Sequence, residues 1–215
     1  MYRENTKQIE NAIAKGKELE VLEPFLVDYR TRFHVRQLAG LLKMNHATVA
    51  LTLKRLEAKK VLKSEQEGRN KKYCLDLDNI LTKSYLENAE SVKTMKYFEK
   101  HFLIKKMLSE FLPVIFKETS VVLFGSYANK SYTNRSDIDI LLIKNGNEEK
   151  ISKAMKDFGK KQNRKIQIQK MSKRDFEDGL REKDVLISEI IRNHIILNNI
   201  SVIVDILWRY YNEVR

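Results

Sequence analysis

The stretch from Val121 to Ile143, VVLFGSYANKSYTNRSDIDILLI, constrains this chain more than any other part of it. Val121-Val122-Leu123-Phe124 is a short apolar run rich in β-branched residues that stops at Gly125, and Ile138 to Ile143 is a second such run. Both read as buried strands. The segment between them, Ser126 to Ser136, has the small, polar composition of a loop and carries two cations, Lys130 and Arg135.

Asp137 and Asp139 stand two apart where the second run begins. Alternate strand residues face the same way, so both carboxylates project from one face. Two anions that close raise each other's pKa until a cation lies between them. Mg²⁺ suits such a pair, because it prefers hard oxygen ligands and is commonly held by one or two carboxylates plus substrate phosphates. The Gly125-Ser126 turn offers backbone N–H groups and a hydroxyl to phosphate oxygens, with glycine allowing close approach to the backbone. Phosphate on one side and a divalent cation on the other describe a site for a nucleoside triphosphate (NTP).

Gly125-Ser126-Tyr127-Ala128 followed by Asp137-Ile138-Asp139 resembles the nucleotidyltransferase superfamily typified by DNA polymerase β, and most of all its minimal prokaryotic branch. The resemblance implies that Gly125 and Ser126 hold the β- and γ-phosphates, that Asp137 and Asp139 bind the catalytic Mg²⁺, and that NMP passes from an NTP to an acceptor hydroxyl. Lys130 and Arg135 are the cations placed to neutralise charge on the nucleotide. Active members add a third carboxylate from a later strand. Here Arg164 to Met171 alternates, with Ile166 and Ile168 on one face and Lys165, Gln167 and Gln169 on the other. The best positional match is Gln167, with Gln169 second, and neither is acidic.

An amide gives a metal a neutral oxygen but no charge, and it cannot serve as a general base. NTP and one Mg²⁺ are therefore expected to bind, with transfer slow, altered or absent. Asp175, Glu177 and Asp178 in the following helix are the acidic alternatives. Lys130 stands where the minimal branch usually has glycine, which should make the loop stiffer and more cationic. Members of that branch often pair with a small helical, toxin-like protein, which makes such a protein a candidate partner.

A second compact pattern precedes the first. Val21, Leu22, Phe25 and Leu26 predict one helix and Val35 to Met44 another, and Asn45 is placed to cap a third running from Ala47 to Lys60. Val49, Leu53 and Leu56 line one face of that third helix. Thr48, Thr52, Arg55 and Lys59 are assigned to the opposite face, as a recognition helix presents hydroxyls and cations to base edges and phosphates. Two short strands follow, Val61–Ser64 and Tyr73–Leu77, around a tip containing Arg69 and Lys71. The pattern resembles a winged-helix DNA-binding domain of the prokaryotic regulator type, and it predicts a duplex DNA partner read through these six residues.

Residues 79–117 continue with a helical period that predicts a connector, bent near His101 and ended near Pro113, whose aromatic stripe serves packing or a homodimer seam. The C-terminal part, from about 173, reads as helices; His194 is assigned to the packed interior. The expected fold class is α+β, with a winged helix-turn-helix at 1–78, the connector at 79–117, and a nucleotidyltransferase-fold mixed sheet with flanking helices at 118–215.

Composition narrows the classes of function. A net charge of +12 over 215 residues points to polyanionic partners. One cysteine excludes an internal disulfide, and four histidines show no zinc-site spacing. No apolar run is long enough to span a bilayer and the N-terminus lacks an apolar signal core, so a cytoplasmic location without membrane contact is expected. Two functions fit: a Mg²⁺-dependent nucleotidyltransferase coupled to a DNA-binding domain, or a DNA-binding regulator whose degenerate nucleotidyltransferase domain senses nucleotide or binds a partner.

Overall fold

The computed structural model describes residues 16–68, 70–111, 119–143 and 149–213. The expectations for Arg69 and for Pro113 lie outside the described residues. The chain forms two compact units, one comprising residues up to Val92 together with those from Tyr211 onward, the other Lys93–Tyr210. The stretch expected as a separate connector is thus shared between them.

In the first unit residues 16–22 are helical (α1) and pass into a 3₁₀ turn at Glu23–Leu26, started by Pro24. A short strand, β1 (Phe33–His34), precedes α2 (Val35–Leu42) and α3 (His46–Ala58). His34 and Gln37 cap α2 reciprocally, and Lys43 ends it in the left-handed conformation. The Asn45 side chain accepts from the Ala47 amide at 2.8 Å, the expected cap of α3. β2 (Leu62–Glu67) and β3 (Asn70–Leu75) pair antiparallel, with β1 on the outer side of β3. Leu22, Phe25, Leu38, Leu53 and Leu56 are fully buried between the helices and this sheet.

The hairpin differs from its sequence reading. Its strands run on through the charged residues expected as a tip, because Glu65 faces Lys72 and Gln66 faces Lys71, and cross-strand pairs of this kind stabilise the ladder.

In the second unit the helical stretch is two helices, α4 (Ile80–Lys100, its first part in the other unit) and α5 (Phe102–Phe111), separated at His101 as expected. β4 (Ser120–Phe124), the single turn α6 (Gly125–Ala128), β5 (Ile138–Ile143), α7 (Glu149–Lys161), β6 (Ile166–Met171), α8 (Lys173–Glu182), α9 (Val185–Arg192), β7 (Ile195–Asn198) and α10 (Ile200–Glu213) follow. The sheet order is β6-β5-β4-β7, with β5 and β6 parallel and the other pairs antiparallel. This is the mixed sheet expected.

β4 is buried along its whole length and β5 at all but Asp139. Met107, Phe111, Ile151, Met155 and Phe158 of α5 and α7 pack into the same core. β7 departs from the expectation of a purely helical C-terminal part. Ile195-Ile196-Leu197 is an apolar run with two β-branched residues that pairs along β4 on the side away from β5, and Asn199 ends it in the left-handed conformation.

Candidate functional site

β5 runs between β4 and β6, and the register places the site. Asp139 lies opposite Phe124 on one side and Gln167 on the other. Directly opposed residues share a face of the sheet, so Asp139 and Gln167 project together, with Asp137 two residues back on that same face. Gln169 lies opposite Leu141, further along, which leaves Gln167 as the residue beside Asp139, at the position where the resemblance leads one to expect a third carboxylate.

Phe124 ends β4 and Gly125 turns the chain sharply, with φ +67°. A Cβ at Gly125 would lie 2.4 Å from Asp139 Oδ2. The glycine of the turn and the second carboxylate are therefore in direct contact, and no residue with a side chain fits between them. Lys130, at the end of the turn, also has positive φ, +65°, in the region that glycine enters freely. Lys130 and Arg135 are both exposed, and the loop carrying them is tied by Ser131 N–H to Ser126 O, 3.0 Å, and by Thr133 N–H to Ser136 Oγ, 2.8 Å.

The two carboxylates sit in opposite electrostatic environments. Asp137 Oδ2 accepts from Lys165 Nζ at 3.0 Å and from Gln167 Nε2 at 2.7 Å. Those two hydrogen bonds, Lys165 first, hold Asp137 below the usual carboxylate range. Asp139 is pushed up, chiefly by burial, then by the negative charges of Asp137 and of Glu189 on α9, with Lys165 opposing.

Sequence reasoning had placed Lys165 and Gln167 on one strand face without connecting Lys165 to the carboxylates, and it had missed Glu189. Alternation on β6 could have suggested Lys165. Nothing in the sequence links α9 to β5.

The acidic alternatives are engaged elsewhere. Asp175 caps α8 through Ser172, Glu177 binds Arg209 at 2.7 Å, and Asp178 pairs with Arg174 and Arg181. His194 is buried, its Nδ1 2.7 Å from the Ile191 carbonyl, in keeping with a packed role. The donor set suits one hard cation shared by Asp137 and Asp139 and completed by phosphate oxygens. Among the described residues no three His, Cys, Asp or Glu stand together as metal ligands.

In the first unit, one of the six residues assigned to DNA, Thr52, does not face solvent as expected, and a second, Lys59, is exposed but engaged within the unit. Thr52 is buried at 3% exposure and its hydroxyl donates to the Thr48 carbonyl at 2.8 Å. Lys59 is tied to Glu18 at 2.7 Å and to the Tyr85 hydroxyl at 3.1 Å. The expected polar face was mis-phased. With Val49, Leu53 and Leu56 inward, a 3.6-residue helix turns residues 47, 51, 54, 55 and 58 outward, which the exposed Ala47, Leu51, Lys54, Arg55 and Ala58 match.

Thr48 is half-buried, Arg55 is exposed, and Lys71 is exposed with Glu57 3.8 Å away. Glu18 is only 2% exposed, so removing its cation strands a buried charge. Lys59→Met is expected to cost about 2 kcal/mol of stability, less than a fully buried pair because Lys59 is half-exposed; a urea midpoint unchanged from wild type would contradict this.

Residues 103–206, just under half of the chain, match the family model described as a nucleotidyltransferase domain. No curated protein matches the chain. No helix among the described residues is long and apolar enough to cross a membrane. From α5 into α10, with β4, the Gly125-Ser126 turn, β5 and β6 at its centre, the chain is therefore similar to nucleotidyltransferase domains.

Proposed function

We propose that the second unit is a Mg²⁺-dependent nucleotidyltransferase that moves NMP from an NTP to an acceptor hydroxyl. The observation that carries this reading is the contact between Gly125 and Asp139, which brings the glycine–serine turn against one carboxylate of the pair, an arrangement suited to a phosphate and a cation side by side. Ser126 and the amides of the turn bind the terminal phosphates. Asp137 and Asp139 would hold Mg²⁺, which would supply Lewis-acid stabilisation of the negative charge on the reacting phosphates. The attacking hydroxyl finds no carboxylate on β6 to take its proton, because Gln167 can only donate or accept hydrogen bonds. Slow transfer is the consequence.

Transfer of label from α-labelled NTP, compared between wild type and Asp137→Ala/Asp139→Ala, tests the reading. A loss of at least about a thousandfold is expected in the double variant; equal labelling by both proteins would overturn it.

The first unit favours a DNA-binding role of the winged-helix kind, read through α3. Support comes from the α2–turn–α3 arrangement, the adjoining β2–β3 hairpin, and the outward Leu51, Lys54 and Arg55. Apolar contact by Leu51 with a thymine methyl and phosphate contacts by the two cations suit a helix in a major groove. Lys54→Ala/Arg55→Ala is expected to weaken duplex binding about tenfold at low salt and to reduce the salt slope by about two. An unchanged slope would remove α3 from the groove.

A further inference from the structure

The strand expected to complete the metal site brings an amide, Gln167, where an anion is expected and a cation, Lys165, two residues before it. Lys165 and Gln167 are two residues apart on β6 and project from one face, and both donate to the same oxygen, Asp137 Oδ2, at 3.0 and 2.7 Å. The register fixes Gln167 beside Asp139, so this is one cluster of two carboxylates, one amide and one ammonium. Lys165 acts on both carboxylates, holding Asp137 down and opposing the rise of Asp139.

A surface ion pair would ordinarily mean little, and the Lys165 side chain is 70% exposed. This one differs because its partner is a carboxylate that the nucleotide site needs, and because the same ammonium also acts on the neighbouring Asp139.

We propose that the Lys165 ammonium is the resident counter-cation of the Asp137–Asp139 pair, so that the site takes one divalent cation and the lysine supplies the second positive charge. The inference rests on the nucleotide-site reading above. It deepens that reading by assigning a charge inventory: two carboxylates, one ammonium and one divalent ion, in place of three carboxylates and two ions. With the ammonium on Asp137, a metal ion must share that carboxylate with a positive charge, and metal affinity in the absence of nucleotide is held down. When the triphosphate enters, its negative charge offsets both cations.

The experiment is a Mn²⁺ titration of the full-length protein without nucleotide, followed by the electron paramagnetic resonance of free Mn²⁺, so that no turnover is required. Wild type should bind a single Mn²⁺ at this site. Lys165→Met and Lys165→Gln should each bind it at least about tenfold more tightly, since a like charge a few ångströms away has been removed. Lys165→Arg, which keeps the charge, should stay close to wild type. Lys165→Met/Gln167→Glu should admit a second Mn²⁺.

Unchanged or weaker Mn²⁺ affinity in both neutral variants, or two ions at this site in wild type, would overturn the proposal. Asp137→Ala/Asp139→Ala separates this from failure of the underlying reading. If that variant keeps its Mn²⁺, the ion never sat on the pair, and the nucleotide-site assignment falls together with the proposal. Because Lys165 is exposed, the substitutions should leave the unfolding midpoint close to wild type, and Lys165→Gln serves as a second neutral variant should Lys165→Met fold poorly.

Discussion

Gly125→Ala should cost the protein both its phosphate turn and its carboxylate pair. The residue has φ +67°, where any side chain adds about 1–2 kcal/mol of strain. The new methyl would also meet Asp139 Oδ2 at 2.4 Å and Asp139 Cγ at 3.2 Å. Asp139 cannot retreat as a whole, because its backbone is laddered between Phe124 and Gln167. Either the carboxylate rotates away from Asp137 or the turn shifts, and both break the arrangement that metal and phosphate would share. Stability is expected to fall by about 2 kcal/mol and label transfer by at least about a hundredfold, the latter from misplacement alone.

Gly40→Ala is the natural control, since a Cβ there meets nothing within 4 Å and the position lies inside α2. It should be neutral or stabilising by up to about 1 kcal/mol. Equal effects at the two glycines would mean that the contact with Asp139 is not what the turn requires.

Asp139→Asn should abolish metal binding, lowering Mn²⁺ affinity at least about a hundredfold, and yet make the protein more stable at neutral pH. The sign follows from the direction of the shift. Burial, Asp137 and Glu189 raise the pKa of Asp139 in the folded protein, so its charged form is disfavoured by folding. Its contribution to stability is full below the unfolded pKa and is lost as pH rises through the folded one. At neutral pH wild type therefore carries a destabilising charge that the asparagine variant lacks.

The advantage of the variant should shrink as pH is lowered and Asp139 in wild type takes up a proton. Asp137 runs the other way. Its lowered pKa gives stability above the unfolded value, lost as pH falls through the folded one. Mn²⁺ should raise the melting temperature of wild type but not of Asp139→Asn, because only the former gains by binding. A variant less stable than wild type at neutral pH, or one equally stabilised by Mn²⁺, would contradict this account.

The strands, the turn and the loop from Val121 to Ile143 were legible in the sequence because each rests on local chemistry: an apolar β-branched run, a glycine, a polar segment. The same holds for the Asn45 cap and for the break at His101. What failed did so for want of partners or of phase. β7 was missed because Ile195-Ile196-Leu197 is short, and an apolar run reads as helix or strand depending on whether a strand edge awaits it. The outward face of α3 was misjudged although its inward residues were right. Thr52 lies about 60° from the centre of the stripe formed by Val49, Leu53 and Leu56, not opposite it, and no hydroxyl announces that it will turn inward onto a carbonyl.

By itself the sequence determined the pair of strands, the glycine–serine turn, the carboxylates on one face and the absence of an acid on the strand that should complete them. These are properties of alternation and of residue type, and they need no knowledge of what lies alongside. Only the tertiary structure decided that Gly125 must be glycine because Asp139 occupies the space of its Cβ, that Lys165 and Gln167 both bind Asp137, and that Glu189 adds its charge from α9. Each is a relation between segments far apart in the chain, set by strand register and helix docking, and the charge of a site is the sum of what those distant segments bring to it.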